Sequence, residues 1–161
     1  MERSQALVIG IGNRLRSDDG AGIRVAEAIE AQPTGGMQVV ICDQLTPELA
    51  ERISQARAVL FVDALVVDPP LGEASDAMAH SPSTAQLQPL EASTQGDPGG
   101  HALTPPRLLA LSAALYGFCP PAWQLLIPGE QWQVGDQLSA RTAAACRNAI
   151  PVVQAWGARH A

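Results

Sequence analysis

The chain is poor in the short motifs that announce common chemistries. Its 161 residues hold only three cysteines, Cys42, Cys119 and Cys146, far apart and with no C-x-x-C spacing. That excludes a zinc knuckle and a dithiol redox centre, and leaves the thiols as small, buried, apolar side chains. No phosphate-binding loop of the G-x-x-x-x-G-K type occurs, and the turn at Gly10 and Gly12 lacks the third glycine of a dinucleotide fingerprint, Leu15 standing in its place. Nucleotide binding is thereby disfavoured. The longest apolar runs, such as residues 58 to 62 and 125 to 127, fall far short of the ~20 residues that cross a bilayer. The N-terminus also lacks a signal-peptide apolar region, so the expected location is the cytoplasm. Ten scattered basic side chains against sixteen acidic ones give a net charge of −6, which argues against nucleic acid and anionic membrane as partners.

What the sequence does contain is concentrated in residues 6 to 28. An apolar run meets Gly10 and Gly12, then two adjacent aspartates, Asp18 and Asp19, and then Ile23, Ala26 and Ile29 at helical spacing. That pattern predicts a strand, a turn and a helix. A carboxylate pair at a helix start has a plain structural explanation, because the first turn leaves N–H groups unpaired at the positive end of the dipole. Residues 37 to 42 read as a second strand, and 46 to 55 as a helix with Thr46 as its cap and Pro47 at its first position. Residues 57 to 64 read as a strand buried on both faces, carrying Asp63 at its end.

From 66 to 100 proline, serine, glycine and aspartate prevail, and most of that stretch is expected to be loop, with 85 to 91 the one possible alternating strand. A helix over 104 to 116 follows, with Pro105 and Pro106 near its start and Gly117 just past its end. Residues 121 to 127 read as the last strand, and 139 to 156 as a final helix that Pro151 should kink or cut short. Alternating strands and helices imply one α/β domain over residues 1 to 161. It should be a three-layer sandwich with a mainly parallel twisted sheet of about five strands flanked by helices. A strand order of 2-1-3-4-5 puts the reversal between strands one and three, and ligands bind beyond the C-terminal strand ends at such a point.

Three chemistry-bearing groups converge on that edge. Asp18 and Asp19 follow strand one, Asp63 closes strand three, and His101, in the loop GGHAL after strand four, would face the same side. Neighbouring strands lie only about 5 Å apart, so carboxylates from distant sequence can meet there. One imidazole and two carboxylates suit nickel, zinc or manganese in an open site, not a closed structural zinc centre. Plainer roles stay open: His101 capping a helix, Asp63 accepting from loop N–H groups. His80, in an irregular loop, and His160, at a frayed terminus, are expected to be solvated.

The run G-I-G-N-x-L-x-x-D-D-G-x-G from Gly10 to Gly22 resembles the opening signature of the nickel–iron hydrogenase maturation proteases. Phe61-Val62-Asp63-Ala64, His101 ahead of Leu103-Thr104-Pro105, and Leu138-Ser139 before the last helix match the family in order, so the resemblance spans nearly the whole chain. It implies a cytoplasmic, monomeric endopeptidase, metal-dependent or aspartyl-type, that removes the C-terminal extension of a hydrogenase large-subunit precursor after nickel insertion. It further implies that Asp19, Asp63 and His101 are the catalytic and metal-binding residues, Asp19 in preference to Asp18 because the family uses the second acid of the pair. The metal so recognised is nickel seated in the substrate, not a tightly held cofactor. The alternative is a non-catalytic nickel-sensing or chaperone-like module that binds the same precursor. The chain departs from the family at Asp43-Gln44-Leu45, where a glycine-rich turn is usual, and in the Pro-Gly-Gly that precedes His101.

Overall fold

The computed structural model describes residues 3, 5 to 32, 35 to 67, 84 to 95, 100 and 102 to 161. In chain order the elements are β1 (Ala6–Ile11), α1 (Ala21–Ala31), β2 (Met37–Cys42), α2 (Leu49–Gln55), β3 (Val59–Val66), β4 (Gln86–Leu90), α3 (Pro105–Tyr116), β5 (Ala122–Gly129) and α4 (Ala140–His160). All six residues of β1 are buried, so this strand lies within the sheet with both faces covered. Its neighbours β2 and β3 run parallel to it, and β5 runs parallel to β3.

Strand periodicity distributes the core between two layers. Ala6 and Val8 of β1, Leu60 and Val62 of β3, and Leu125 and Ile127 of β5 pack with Ala21, Val25 and Ile29 of α1 and with Ala149, Val153 and Trp156 of α4. The intervening residues Leu7, Ile9, Val59 and Phe61 point the other way, onto Leu49 and Ile53 of α2 and Leu108 and Leu109 of α3. The result is the expected three-layer α/β sandwich around a mainly parallel five-stranded sheet.

The strand order is β2-β1-β3-β5-β4, and β4 pairs antiparallel with β5. This corrects the expected 2-1-3-4-5. Alternation in residues 85 to 91 marks a strand but carries no direction, and Pro89, which cannot donate to a ladder, suits the outer position that β4 takes. The reversal between β1 and β3 is kept.

Local signals settle the helix ends to different degrees. Thr104 Oγ1 accepts the Arg107 N–H at 3.4 Å, and Gly117 closes α3 in the left-handed region at φ 72°. Thr46 does not cap α2, which starts at Leu49 after a tight turn in which the Leu49 N–H donates to the Thr46 carbonyl at 3.1 Å. Nor does Pro151 end the last helix, since α4 continues to His160. Pro151 and Arg147 both lie on the exposed side of α4, where a carbonyl without its helical partner costs least. His160 is not solvated as expected. It is half-buried, its ring 4.5 Å from Trp123 and 5.1 Å from Trp156, and burial together with Arg159 pushes its pKa down. His80 lies outside the described residues.

Close helix–sheet contact at Gly22 lets α1 sit directly over the end of the sheet. A methyl group there would collide with the carbonyl oxygens of Val62 and Ile11, both backbone atoms that cannot swing away. Gly22→Ala should therefore lower stability by about 3 kcal/mol, read by urea denaturation, and a variant as stable as the parent would remove this packing role.

Candidate active site

The loop after β1 is built on a fixed turn. Gly12, at φ 153°, lies so close to the Asp19 carbonyl that a side chain has no room, and Asn13 Oδ1 accepts the Leu15 N–H at 2.9 Å. Ser17 holds a positive φ of 53°, unusual for a residue with a side chain. Its conformation is secured by bonds to the loop after β5: its N–H donates to the Gly135 carbonyl at 2.8 Å and its hydroxyl to the Gln133 carbonyl at 2.7 Å.

The two adjacent aspartates have opposite surroundings. Asp18 is fully buried and caps no helix. Its carboxylate accepts the N–H groups of Glu130 at 2.8 Å, Gln131 at 2.9 Å and Ser139 at 2.7 Å, and the Ser139 hydroxyl at 2.9 Å. Burial pushes its pKa up, but those bonds outweigh the burial and hold it below the ordinary carboxylate value. Asp19 is half-buried, and its Oδ2 accepts the Asn13 N–H at 2.9 Å.

Asp63 belongs to β3 but lies one residue past the last β1–β3 pair, Gly10 with Val62. Its Oδ1 accepts the Ala64 N–H at 2.8 Å. Burial first and the Asp19 charge second raise its pKa to about 6, against the Ala64 bond that lowers it. The fold thus brings Asp19 and Asp63 within electrostatic reach of one another at the C-terminal edge of adjacent strands. Asp18, the other candidate of the pair, is consumed by structure.

Residue 101 lies outside the described residues, so the placement of His101 is not part of this geometry. Among the described residues no group of three His, Cys, Asp or Glu side chains is arranged to hold a metal ion. Next to the turn whose Asn13 N–H bonds Asp19 is a cavity of about 530 Å³ lined by Gly12, Asn13, Leu15, Ile41, Cys42 and Gln44, with neither Asp19 nor Asp63 among its lining residues. A second, of about 410 Å³, shares Gln44 and Thr46 with it and reaches Leu103 and Arg107 at the start of α3. Cys146 is buried, whereas Cys42 and Cys119 are half-buried. Burial raises all three thiols, with Asp43 and Asp63 adding to the effect at Cys42, so none is an activated nucleophile.

Sequence reasoning missed Ser139 as the partner of Asp18. Its one signal was Leu138-Ser139, noticed only as a helix opening; Ser139 does cap α4, its Oγ accepting the Thr142 N–H at 3.3 Å.

Compared with protein-family models and with curated proteins, the sequence gives no match. Solved structures do match. The hydrogenase maturating endopeptidase HybD from E. coli superposes with a TM-score of 0.69 at 18% identity, over 94% of this chain and 91% of that one. A hydrogenase 2 maturation peptidase from a Thaumarchaeota archaeon gives 0.65 at 18% identity, over 95% and 97%. The NiFe hydrogenase maturation protease HycI from Thermococcus kodakarensis gives 0.66 at 17% identity, over 95% and 92%. The chain shares their fold over most of its length.

The two aspartates make opposite contributions to stability. Asp18, with a lowered pKa, stabilises the fold above the unfolded value near 4, and that contribution is lost as pH falls through its folded pKa. Asp18→Asn should cost about 3 kcal/mol at pH 7, with a smaller deficit below pH ~4; an equal deficit at both would show that its charge is irrelevant. Asp63, raised from 3.8 to about 6, loses stability as pH rises through that window. Asp63→Asn should therefore gain about 2 kcal/mol at pH 7.5 and almost nothing at pH ~4, measured by thermal melts across pH.

Proposed function

We propose that the protein is an endopeptidase that removes the C-terminal extension of a nickel–iron hydrogenase large-subunit precursor, recognising nickel already seated in that substrate. The observation that carries this reading is the convergence of Asp19 and Asp63 at the switch point of the sheet, beside an open cavity. The fold shared with structures named as hydrogenase maturation endopeptidases supports it.

Two carboxylates that repel one another form an attractive place for a cation. In this reading Asp19 and Asp63, with His101, engage the substrate's nickel and leave its other positions to the substrate's own ligands. Seating the metal orients the adjoining peptide bond in the cavity and excludes bulk water around it. Nickel polarisation of the scissile carbonyl or of a water, and carboxylate general-base assistance, are both compatible with this donor set. The free protein has no need of a resident metal, and its partner is the precursor polypeptide. A cytoplasmic location follows from that partner, and among the described residues no helix is long and apolar enough to cross a membrane.

Intact-mass measurement after incubation with nickel-loaded and nickel-free precursor tests the reading. Loss of the C-terminal peptide should occur only from the loaded form, with many precursors shortened per enzyme molecule. Asp19→Ala, Asp63→Ala and His101→Ala should each reduce the rate by at least ~10³-fold while retaining the fold. A stoichiometric complex without cleavage would instead establish the binding module, and cleavage of nickel-free precursor at the normal rate would refute metal recognition.

A further inference from the structure

The two edges of the sheet are finished differently. The β4 edge carries Pro89, which has no N–H to offer and discourages another strand from pairing. The opposite edge, β2, reads MQVVIC, with neither proline nor charge, and apart from Gln38 its residues are half-buried. In a parallel pair the N–H and C=O of one residue point to the same side, and successive residues alternate. The Ala6 N–H donates to the Gly36 carbonyl and the Gly12 N–H to the Cys42 carbonyl, both at 3.1 Å, so the even-numbered residues of β2 face β1. Met37, Val39 and Ile41 therefore turn their N–H and C=O groups outward, and among the described residues no strand pairs with them.

This open edge leads into the candidate active site. Ile41 and Cys42, at its C-terminal end, line the cavity together with Gly12 and Asn13, and Asn13 in turn bonds Asp19. A polypeptide held for cleavage at Asp19 and Asp63 has the end of β2 immediately beside it.

We propose that β2 receives the precursor's C-terminal extension as an added antiparallel strand. This rests on the functional reading above. The folded body of the precursor, on the N-terminal side of the scissile bond, must remain outside the C-terminal edge of the sheet. The chain beyond the bond then travels from the Cys42 end of β2 toward its Met37 end, opposite to β2 itself. Hydrogen bonds to the outward groups of Met37, Val39 and Ile41 hold the extension whatever its sequence, over about 20 Å for six residues. Side chains of the extension alternate between the Val39 and Ile41 face and the Val40 and Cys42 face, which favours an uncharged segment without proline at the pairing positions. A second copy of this chain is the rival occupant, and the net charge of −6 on each copy opposes it.

Amide hydrogen exchange on the full chain, alone and with a synthetic peptide of the extension of the same organism's large-subunit precursor, tests this directly. In the free protein the Val39 and Ile41 amides should exchange quickly and those of Val40 and Cys42 slowly. With peptide, Val39 and Ile41 should slow at least ~10-fold. Val39→Pro removes an outward N–H and no bond to β1, and should raise KM for the nickel-loaded precursor about 10-fold with kcat nearly unchanged; Val39→Ala should do neither. Cleavage of the precursor with no protection of Val39 and Ile41 by the peptide would overturn strand addition while leaving the functional reading intact. Protection that grows with protein concentration in the absence of peptide would overturn it in favour of self-pairing. Should the wild-type protein fail to cleave loaded precursor, the functional reading falls, and peptide protection of the two amides still decides whether the edge binds that sequence.

Discussion

The arrangement of the candidate site depends on one buried carboxylate. Asp18 accepts three backbone N–H groups and one hydroxyl from the loop between β5 and α4, across more than a hundred residues of sequence. Around it the Gly135 carbonyl accepts the Ser17 N–H, and the Gly135 N–H donates to the Leu15 carbonyl at 2.9 Å. Two loops that belong to separate strands are thus tied together. Asp18 and Asp19 sit in a 3₁₀ turn, Ser17–Gly20, where successive side chains point about 120° apart. Anchoring the first acid inward therefore turns the second to another side, where it accepts the Asn13 N–H and its charge acts on Asp63. A charge buried this thoroughly is tolerated because each oxygen is satisfied by donors fixed in the backbone.

The second constraint is electrostatic and works against the fold. β3 continues beyond the last residue paired with β1, and the first residue of that overhang is Asp63. It loses solvent on burial and, among the described residues, gains the Ala64 N–H and an acidic neighbour in exchange, so its charged form is disfavoured. Such strain has no structural benefit in the described surroundings, in contrast to Asp18. Functional positions are where folds keep arrangements of this kind.

Much of the fold was legible because its signals are local. The run from β1 through Gly12 to α1, the six residues of β2, and the Thr104 and Gly117 limits of α3 are each specified by residues within a few positions of one another. Asp19 and Asp63 were legible as neighbours once the parallel order of β1 and β3 was inferred. The role of Asp18 was not, because its donors lie at 130, 131 and 139 and nothing beside Asp18 encodes them. Direction of β4 was hidden for a similar reason, since its pairing with β5 is a long-range choice that periodicity leaves open. Pro151 misled because the cost of proline in a helix depends on whether the freed carbonyl meets water, which the solvent-facing side of α4 provides. His160 is drawn inward by Trp123 and Trp156, a contact invisible from its terminal position.

The same physics bears on selectivity in the proposed reaction. A pair of carboxylates that repel each other binds a neutral peptide without relief, whereas a peptide that arrives with a cation removes the repulsion as it docks. Burial is the larger cause of the raised Asp63 pKa and the Asp19 charge a smaller one, so a cation docking here offsets both the lost solvation and the repulsion. Preference for loaded over unloaded precursor can therefore originate in the enzyme's unfavourable ground state. It needs no separate sensing device. The buried, fully bonded Asp18 is what makes that ground state durable, because without a rigid loop the two charges would simply move apart.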